Sequence, residues 1–383
     1  MPEPGGTPQR HGARIVGTTR SPLHHIKVTV MRSILPRRKG HPTSPLRLRI
    51  GRRAAVLVGV CATVLTMLAA PMQAHAAPVR IGYWTSGVSL GFGAVLEAKG
   101  YLKAHGVDAT FVRFSDVNAP TRALAADAID LAFGAAAASV FATASEGVPV
   151  KIFLATQPAD VQFVVPEDSP IKSLSEFRGK KIGMSPAGSS VASIAQAVLA
   201  GNYGIRPTDF SLVGGNESRL AQFLVQKQVD GAALRSVTIA QLHELKVRQL
   251  GTFSGEWRKY TKTDAVPYIG VGAVRGDLIA QRPDQVAKII AAMRDTLAWG
   301  ATHPDDVALI LQKTANLPPE DAKVYAAQWR NMNRAAFEPS DIETLKRENA
   351  LFVSSGIIKG TLPDNLFVTG PYEQSKSIKE IAQ

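Results

Sequence analysis

Cysteine is almost absent: Cys61 is the only one in 383 residues. It lies inside an apolar run near the amino end, where Val60 before it is too bulky for lipoprotein processing. The rest of the chain therefore has no disulfide, no thiolate metal site and no cysteine nucleophile, and relies on its core for stability. Histidine is sparse too. Beyond residue 76 only His105, His243 and His303 remain, with no H-x-x-H or H-E-x-x-H spacing, so a metal centre has no support. His105, before a turn glycine, and His303, before Pro304, read as surface positions, and His243 as part of a polar helix face. No G-x-x-x-x-G-K-[ST] phosphate loop occurs, and no pair of carboxylates is marked out by spacing. No cofactor is expected, and enzymatic chemistry gains little.

Acidic residues are missing from one region only. The first 76 residues hold 12 of the 44 Lys+Arg but just Glu3 of the 31 Asp+Glu. Removing them leaves 44 − 12 = 32 basic against 31 − 1 = 30 acidic residues, a surplus of +2. The overall charge of +13 thus describes a leader, and nucleic-acid binding is set aside. Arg47, Arg49, Arg52 and Arg53 precede the apolar run Ala54–Ala70, which Pro71 and Ala74-His75-Ala76 follow. That order is a secretory signal with cleavage before Ala77, and a periplasmic location is expected. The run is at the short limit for a membrane anchor, and Arg52-Arg53 resembles a twin-arginine signal. The remaining 383 − 76 = 307 residues suffice for two domains.

From Val79 strands and helices alternate. Val79–Tyr83 reads as a strand ending in Trp84-Thr85-Ser86, with a helix from Leu90. Ile129–Phe133 is a strand running into Gly134-Ala135-Ala136 and a small-residue helix, and Val150–Ala155 ends at Thr156-Gln157. Strands spaced by single helices imply parallel pairing in a doubly wound sheet, whose ligands sit beyond the strands' carboxyl ends. The polar break after Val165 marks a crossing into a second unit, and Pro267–Val274 is the returning strand. The expected domains are 77–165 plus 267–383 as the first lobe and 166–266 as the second. From Arg282 the pattern is helical, with ordinary amphipathic spacing.

The second unit contains the most informative stretch, Gly179–Ala200, which reads as strand, small-residue turn and helix. Gly188-Ser189-Ser190 brings free backbone N–H groups and two hydroxyls to a helix N-terminus, which suits a small anion or is simply a capped turn. Asn216 can cap the helix carrying Leu220, Phe223 and Leu224. Arg235 stands at the carboxyl end of the strand Val229–Leu234, where a guanidinium can fork an acid or join a salt bridge.

VVPEDSPIKSLSEFRGKKIGMSPAGSSVASI (Val164–Ile194), VRIGYWTSG, the I-D-L-A-F-G segment and the late R-P-D-Q-V helix together resemble the nitrate/sulfonate/taurine group of periplasmic substrate-binding proteins, relatives of the NMT1/THI5-like thiamine-precursor-synthesis proteins. The resemblance spans residues 79–300. It implies an α/β type II periplasmic-binding-protein fold of two lobes with a helical C-terminal segment. It also implies a monomer that carries a small anionic solute to an ABC transporter permease. Ligand contacts would come from Trp84-Thr85-Ser86, Gly134-Ala135-Ala136 and Gly188-Ser189-Ser190; Gln157, Asn216 and Arg235 are added as candidates by their place at predicted strand ends. Where sulfonate binders commonly carry T-G-E-T this chain has Gly134-Ala135-Ala136-Ala137, and where they carry W-D-P-Y it has Ala232–Arg235. Those departures suggest an anion with an apolar body. The alternatives on the same scaffold are an enzyme, such as a thiamine-precursor-like synthase, and a sensor that presents ligand to a receptor.

Overall fold

The computed structural model describes residues 77–381 apart from Glu244; the leader, with its signal and Cys61, lies outside the described residues. Ten strands form two five-stranded sheets. The first holds β1 (Val79–Trp84), β2 (Ala109–Phe114), β3 (Leu131–Ala136), β4 (Val150–Pro158) and β10 (Tyr268–Arg275), in the order β2-β1-β3-β10-β4. The second holds β5 (Val161–Pro166), β6 (Lys181–Met184), β7 (Ser211–Gly214), β8 (Gly231–Arg235) and β9 (Val247–Thr252), in the order β7-β6-β8-β5-β9. All six residues of β3 and all five of β8 are buried, as expected for central strands covered on both faces by helices.

The two sheets correspond strand for strand, although no sequence repeat is visible. In each, β1/β6 lies parallel to β2/β7 and to β3/β8. In each, one strand runs antiparallel to its neighbours: β10 between β3 and β4, and β5 between β8 and β9. Both antiparallel strands arrive from the other half of the chain. Purely parallel pairing therefore holds only for the strands joined by local helical crossovers.

This places the lobe boundary earlier than the sequence suggests. Val161–Pro166 pairs with Arg235–Ala232 and with Thr252–Val247, so it belongs to the second sheet. The crossing is at Ala159-Asp160, and the polar break at Pro166 marks the end of β5. The outward and returning crossings touch, since the Ala159 N–H donates to the Pro267 carbonyl at 2.8 Å.

In the helical segment after β10 four helices start with proline: Pro283–Gly300, Pro304–Ala315, Pro319–Ala327 and Pro339–Ser354. A proline in the first turn loses no intrahelical hydrogen bond and brings a preset φ. The segment packs on the first lobe, where Trp329 stacks on Phe92 at 5.7 Å and Phe92 meets Phe133 edge-on. Trp329 and Tyr325 are core residues, as the amphipathic spacing suggests. His105 corrects the surface reading: it is buried, with Nε2 2.7 Å from the Asp295 carboxylate, tying the turn before β2 to the helix Pro283–Gly300.

Candidate functional site

The carboxyl ends of β1, β3, β6 and β7 each hand the chain to a helix of nine residues or more, starting at Gly87, Ala137, Ser190 and Glu217. Helix N-termini carry unpaired N–H groups and a partial positive charge. Lobe one supplies two of these ends and lobe two the other two, and the lobes meet along a polar seam.

The Gly188-Ser189-Ser190 turn lies in that seam with its hydroxyls already engaged. Gly188 has φ +81°, a left-handed conformation that glycine tolerates. The Ser189 Oγ accepts from the Ala192 N–H at 3.2 Å and so caps its own helix. The Ser190 Oγ accepts from the Ala138 N–H at 3.1 Å, in the first turn of the helix Ala137–Ser145 across the seam. Beside it the Asn118 amide donates to the Ala187 carbonyl at 3.1 Å. Ser189 and Ser190 are buried.

Gly134-Ala135-Ala136 is wall and strand together. Ala135 and Ala136 pair with Val271 and Gly270. Gly134 has φ +62°, and a Cβ there would lie 2.5 Å from the Ser89 Oγ and 2.7 Å from the Gln157 Nε2. Gln157, buried, donates through that nitrogen to the Ser89 Oγ at 2.9 Å. Thr85 donates to the Phe114 carbonyl at 3.0 Å and lines a separate depression of about 520 Å³ with Tyr83, Arg113 and Asn316. Gly134, Gln157 and Thr85 thus have structural tasks of their own.

A different group gathers around Trp84. Its indole N–H donates to the Ser115 carbonyl, and its ring packs with Val117 and Ala136. It lines an interlobe groove of about 340 Å³ with Asp116, Val117, Pro186, Asn216 and Arg219. Asn216 caps the helix Glu217–Val225 as expected, its Oδ1 accepting from the Arg219 N–H at 3.0 Å. Arg235 crosses from lobe two onto this group. Its guanidinium carbon lies 5.1 Å from the Trp84 ring centre, and its Cδ and Nε pass the α-carbon face of Gly87. Gly87 has φ +53° and opens the helix Gly87–Lys99, whose N-cap residue Ser86 makes no side-chain cap bond.

Arg235 is 4 % exposed. Its Nη1 donates to Glu217, whose other oxygen accepts from the Thr238 hydroxyl at 2.6 Å. Its Nε is buried without a hydrogen-bond partner. The fork expected from the sequence is therefore half used within lobe two, and the Nε edge faces the β1 loop. Sequence reasoning missed Glu217, which looks like an ordinary first-turn acid after an Asn cap, and Asp116, Arg219 and Thr238, which belong to no local motif. Tyr325, in the core as expected, is held by burial as a phenol donating to the Val88 carbonyl at 2.5 Å.

Gly87-Val88-Ser89-Leu90-Gly91 matches the G-x-S-x-G spacing of a nucleophile elbow, a strand-to-helix turn in hydrolases. Here Ser89 is buried against the Gln157 amide, and the three described histidines pair elsewhere: His105 with Asp295, His243 with Asp321, His303 with Thr302 and the Trp299 carbonyl. That serine has no base beside it.

A protein-family model described as NMT1/THI5 like matches residues 94–307, more than half of the chain. The chain belongs to that family. It is 23% identical over 317 residues to a Brucella abortus (strain 2308) protein known only as a candidate binding protein, covering 82% of this chain and 96% of that one. The alkanesulfonate-binding protein SsuA of Xanthomonas axonopodis pv. citri, solved with MOPS, superposes with a TM-score of 0.65 at 18% identity, covering 77% of this chain and 99% of that one. The periplasmic aliphatic sulphonate-binding protein SsuA of Escherichia coli gives 0.59 at 18%, covering 76% and 94%. The desulfurization enzyme DSZB gives 0.56 at 12%, covering 78% and 98%. The family member described here thus has the two-lobed fold of periplasmic solute-binding proteins, a scaffold that an enzyme shares.

Proposed function

We propose that this chain is the solute-binding component of an ABC importer, exported to the periplasm, whose cleft closes on a small organic acid of sulfonate or carboxylate type. The carrying observation is Arg235: a buried guanidinium with an unpartnered Nε, lying across the uncapped N-terminus of the helix Gly87–Lys99. Glu217 occupies one edge of the guanidinium, and the free Nε edge together with the helix end supplies donors to an anion lying between them. The ligand's body would follow Trp84, Val117 and Pro186 along the groove, and the seam contacts of Ser190 and Asn118 would hold the lobes shut around it.

This reading keeps the anion assigned to the cleft but moves its head from the Gly188-Ser189-Ser190 turn towards Arg235 and Ser86-Gly87. A transport role, rather than catalysis, is favoured by Ser89 having no base beside it and by the cysteine-free chain beyond residue 76. A thermal-shift panel tests it, because a ligand that binds only the folded state raises the melting temperature. Alkylsulfonates or alkylcarboxylates should raise it, while alcohols and amines of the same chain length should not. Stabilisation by the neutral or cationic members alone contradicts the proposal.

A further inference from the structure

Glu217 places a buried carboxylate, paired with Arg235, beside the proposed acid site. It is 5 % exposed, with one oxygen accepting from Arg235 Nη1 and the other from the Thr238 hydroxyl. Arg122 pairs with Asp116 at 3.3 Å, Asp160 accepts from the Ser236 hydroxyl at 2.5 Å, and the Arg219 guanidinium lies over the Phe223 ring. Of these, Asp116 and Arg219 line the groove beside Trp84, and Glu217 pairs with Arg235. The remaining positive potential comes from helix N-termini, each worth roughly half an elementary charge.

We infer that Glu217 limits the cleft to acids with a single negative charge, admitting sulfonates and carboxylates and rejecting dianionic phosphonates. The inference rests on Arg235 being the partner of the ligand's acid. An acid on the Nε edge of Arg235 stands only a few ångströms from the Glu217 carboxylate, because one guanidinium holds both. One charge there is met by the guanidinium and the helix end. A second is repelled by Glu217 at close range, and burial leaves water and salt little room to screen that repulsion; Arg219 lies over the Phe223 ring, on the helix after Glu217.

Calorimetric titration of the full chain with hexylsulfonate and hexylphosphonate, from pH 6 to 8.5, tests this. Sulfonate affinity should stay flat, while phosphonate affinity should fall at least threefold as the second proton leaves the ligand. At pH 8.5 Glu217→Gln should narrow the gap between the two acids at least twofold, and Glu217→Asp should keep it. If Glu217→Gln fails to fold, the wild-type pH series decides alone. Equal binding of both acids at pH 8.5, or an unchanged gap in a folded Glu217→Gln protein, overturns the role of Glu217 and leaves the acid site standing. If neither acid binds the wild type, the acid site itself falls, and this inference with it.

Discussion

The hydroxyl of Ser190 accepts a hydrogen bond from the backbone N–H of Ala138, 3.1 Å away on the opposite lobe. Two helix N-termini face each other there, and the Ser190 side chain of lobe two satisfies one N–H donor of lobe one. The neighbouring Ser189 faces inward and caps its own helix. Adjacent serines in one turn therefore serve different links of the fold: one stabilises a helix and the other a lobe contact.

Their substitutions should separate cleanly. Ser189→Ala removes an N-cap, which costs about 1 kcal/mol, and should lower the melting temperature while leaving affinity within about twofold. Ser190→Ala leaves a buried N–H without its acceptor only when the lobes meet, a cost of roughly 1–3 kcal/mol. It should weaken ligand binding about tenfold, with a smaller effect on the melting temperature of the ligand-free protein. Calorimetry and thermal unfolding of both variants check this. Equal effects on both quantities would remove the distinction.

Gly134 should be intolerant of any side chain. Its left-handed φ costs an L-residue roughly 1–2 kcal/mol, and a Cβ would overlap the Ser89–Gln157 pair. Gly134→Ala should lose several degrees of melting temperature even without ligand. An unchanged melting temperature would show that β3 can shift to make room.

Glu348 sets a pH dependence. It is fully buried, one oxygen accepting from the Tyr268 N–H at 2.6 Å at the start of β10 and the other without a partner. Burial pushes its carboxyl well above the usual range, more than the Tyr268 N–H pulls it down. The folded protein then holds a proton that the unfolded chain releases. The contribution of Glu348 to stability is greatest below the ordinary carboxylate range and falls as pH rises towards the folded value. Glu348→Gln cannot ionise, so its stability relative to wild type should improve steadily from pH 4.5 upwards. Parallel pH–stability curves for the two proteins would contradict a protonated Glu348.

Much of this was written locally in the chain. The caps at Ser189 and Asn216, the β1 and β6 strands and the proline-led helices follow from contiguous residue patterns, and each forms where those patterns place it. The parts that were not legible depend on partners far away in sequence. Val161–Pro166 looks the same whether it closes the first sheet or opens the second, because its partners Arg235 and Thr252 lie about seventy and ninety residues on. Ser190 could be recognised as a hydroxyl at a helix start, but its acceptor role towards Ala138 depends on how the lobes meet. Arg235 could be placed at a strand end. Its division between Glu217 and the β1 loop was visible only in three dimensions.

The account turns on Arg235 contacting an acid. Titration of wild type and Arg235→Ala with the alkylsulfonate or alkylcarboxylate that gives the largest thermal shift measures it directly. Removing a charge-assisted contact should weaken binding at least tenfold, about 1.4 kcal/mol, and Arg235→Lys should recover only part of the loss because a lysine cannot serve Glu217 and the ligand through two edges. Unchanged affinity in a folded Arg235→Ala protein would show that the acid sits elsewhere and that Arg235 serves only to neutralise Glu217.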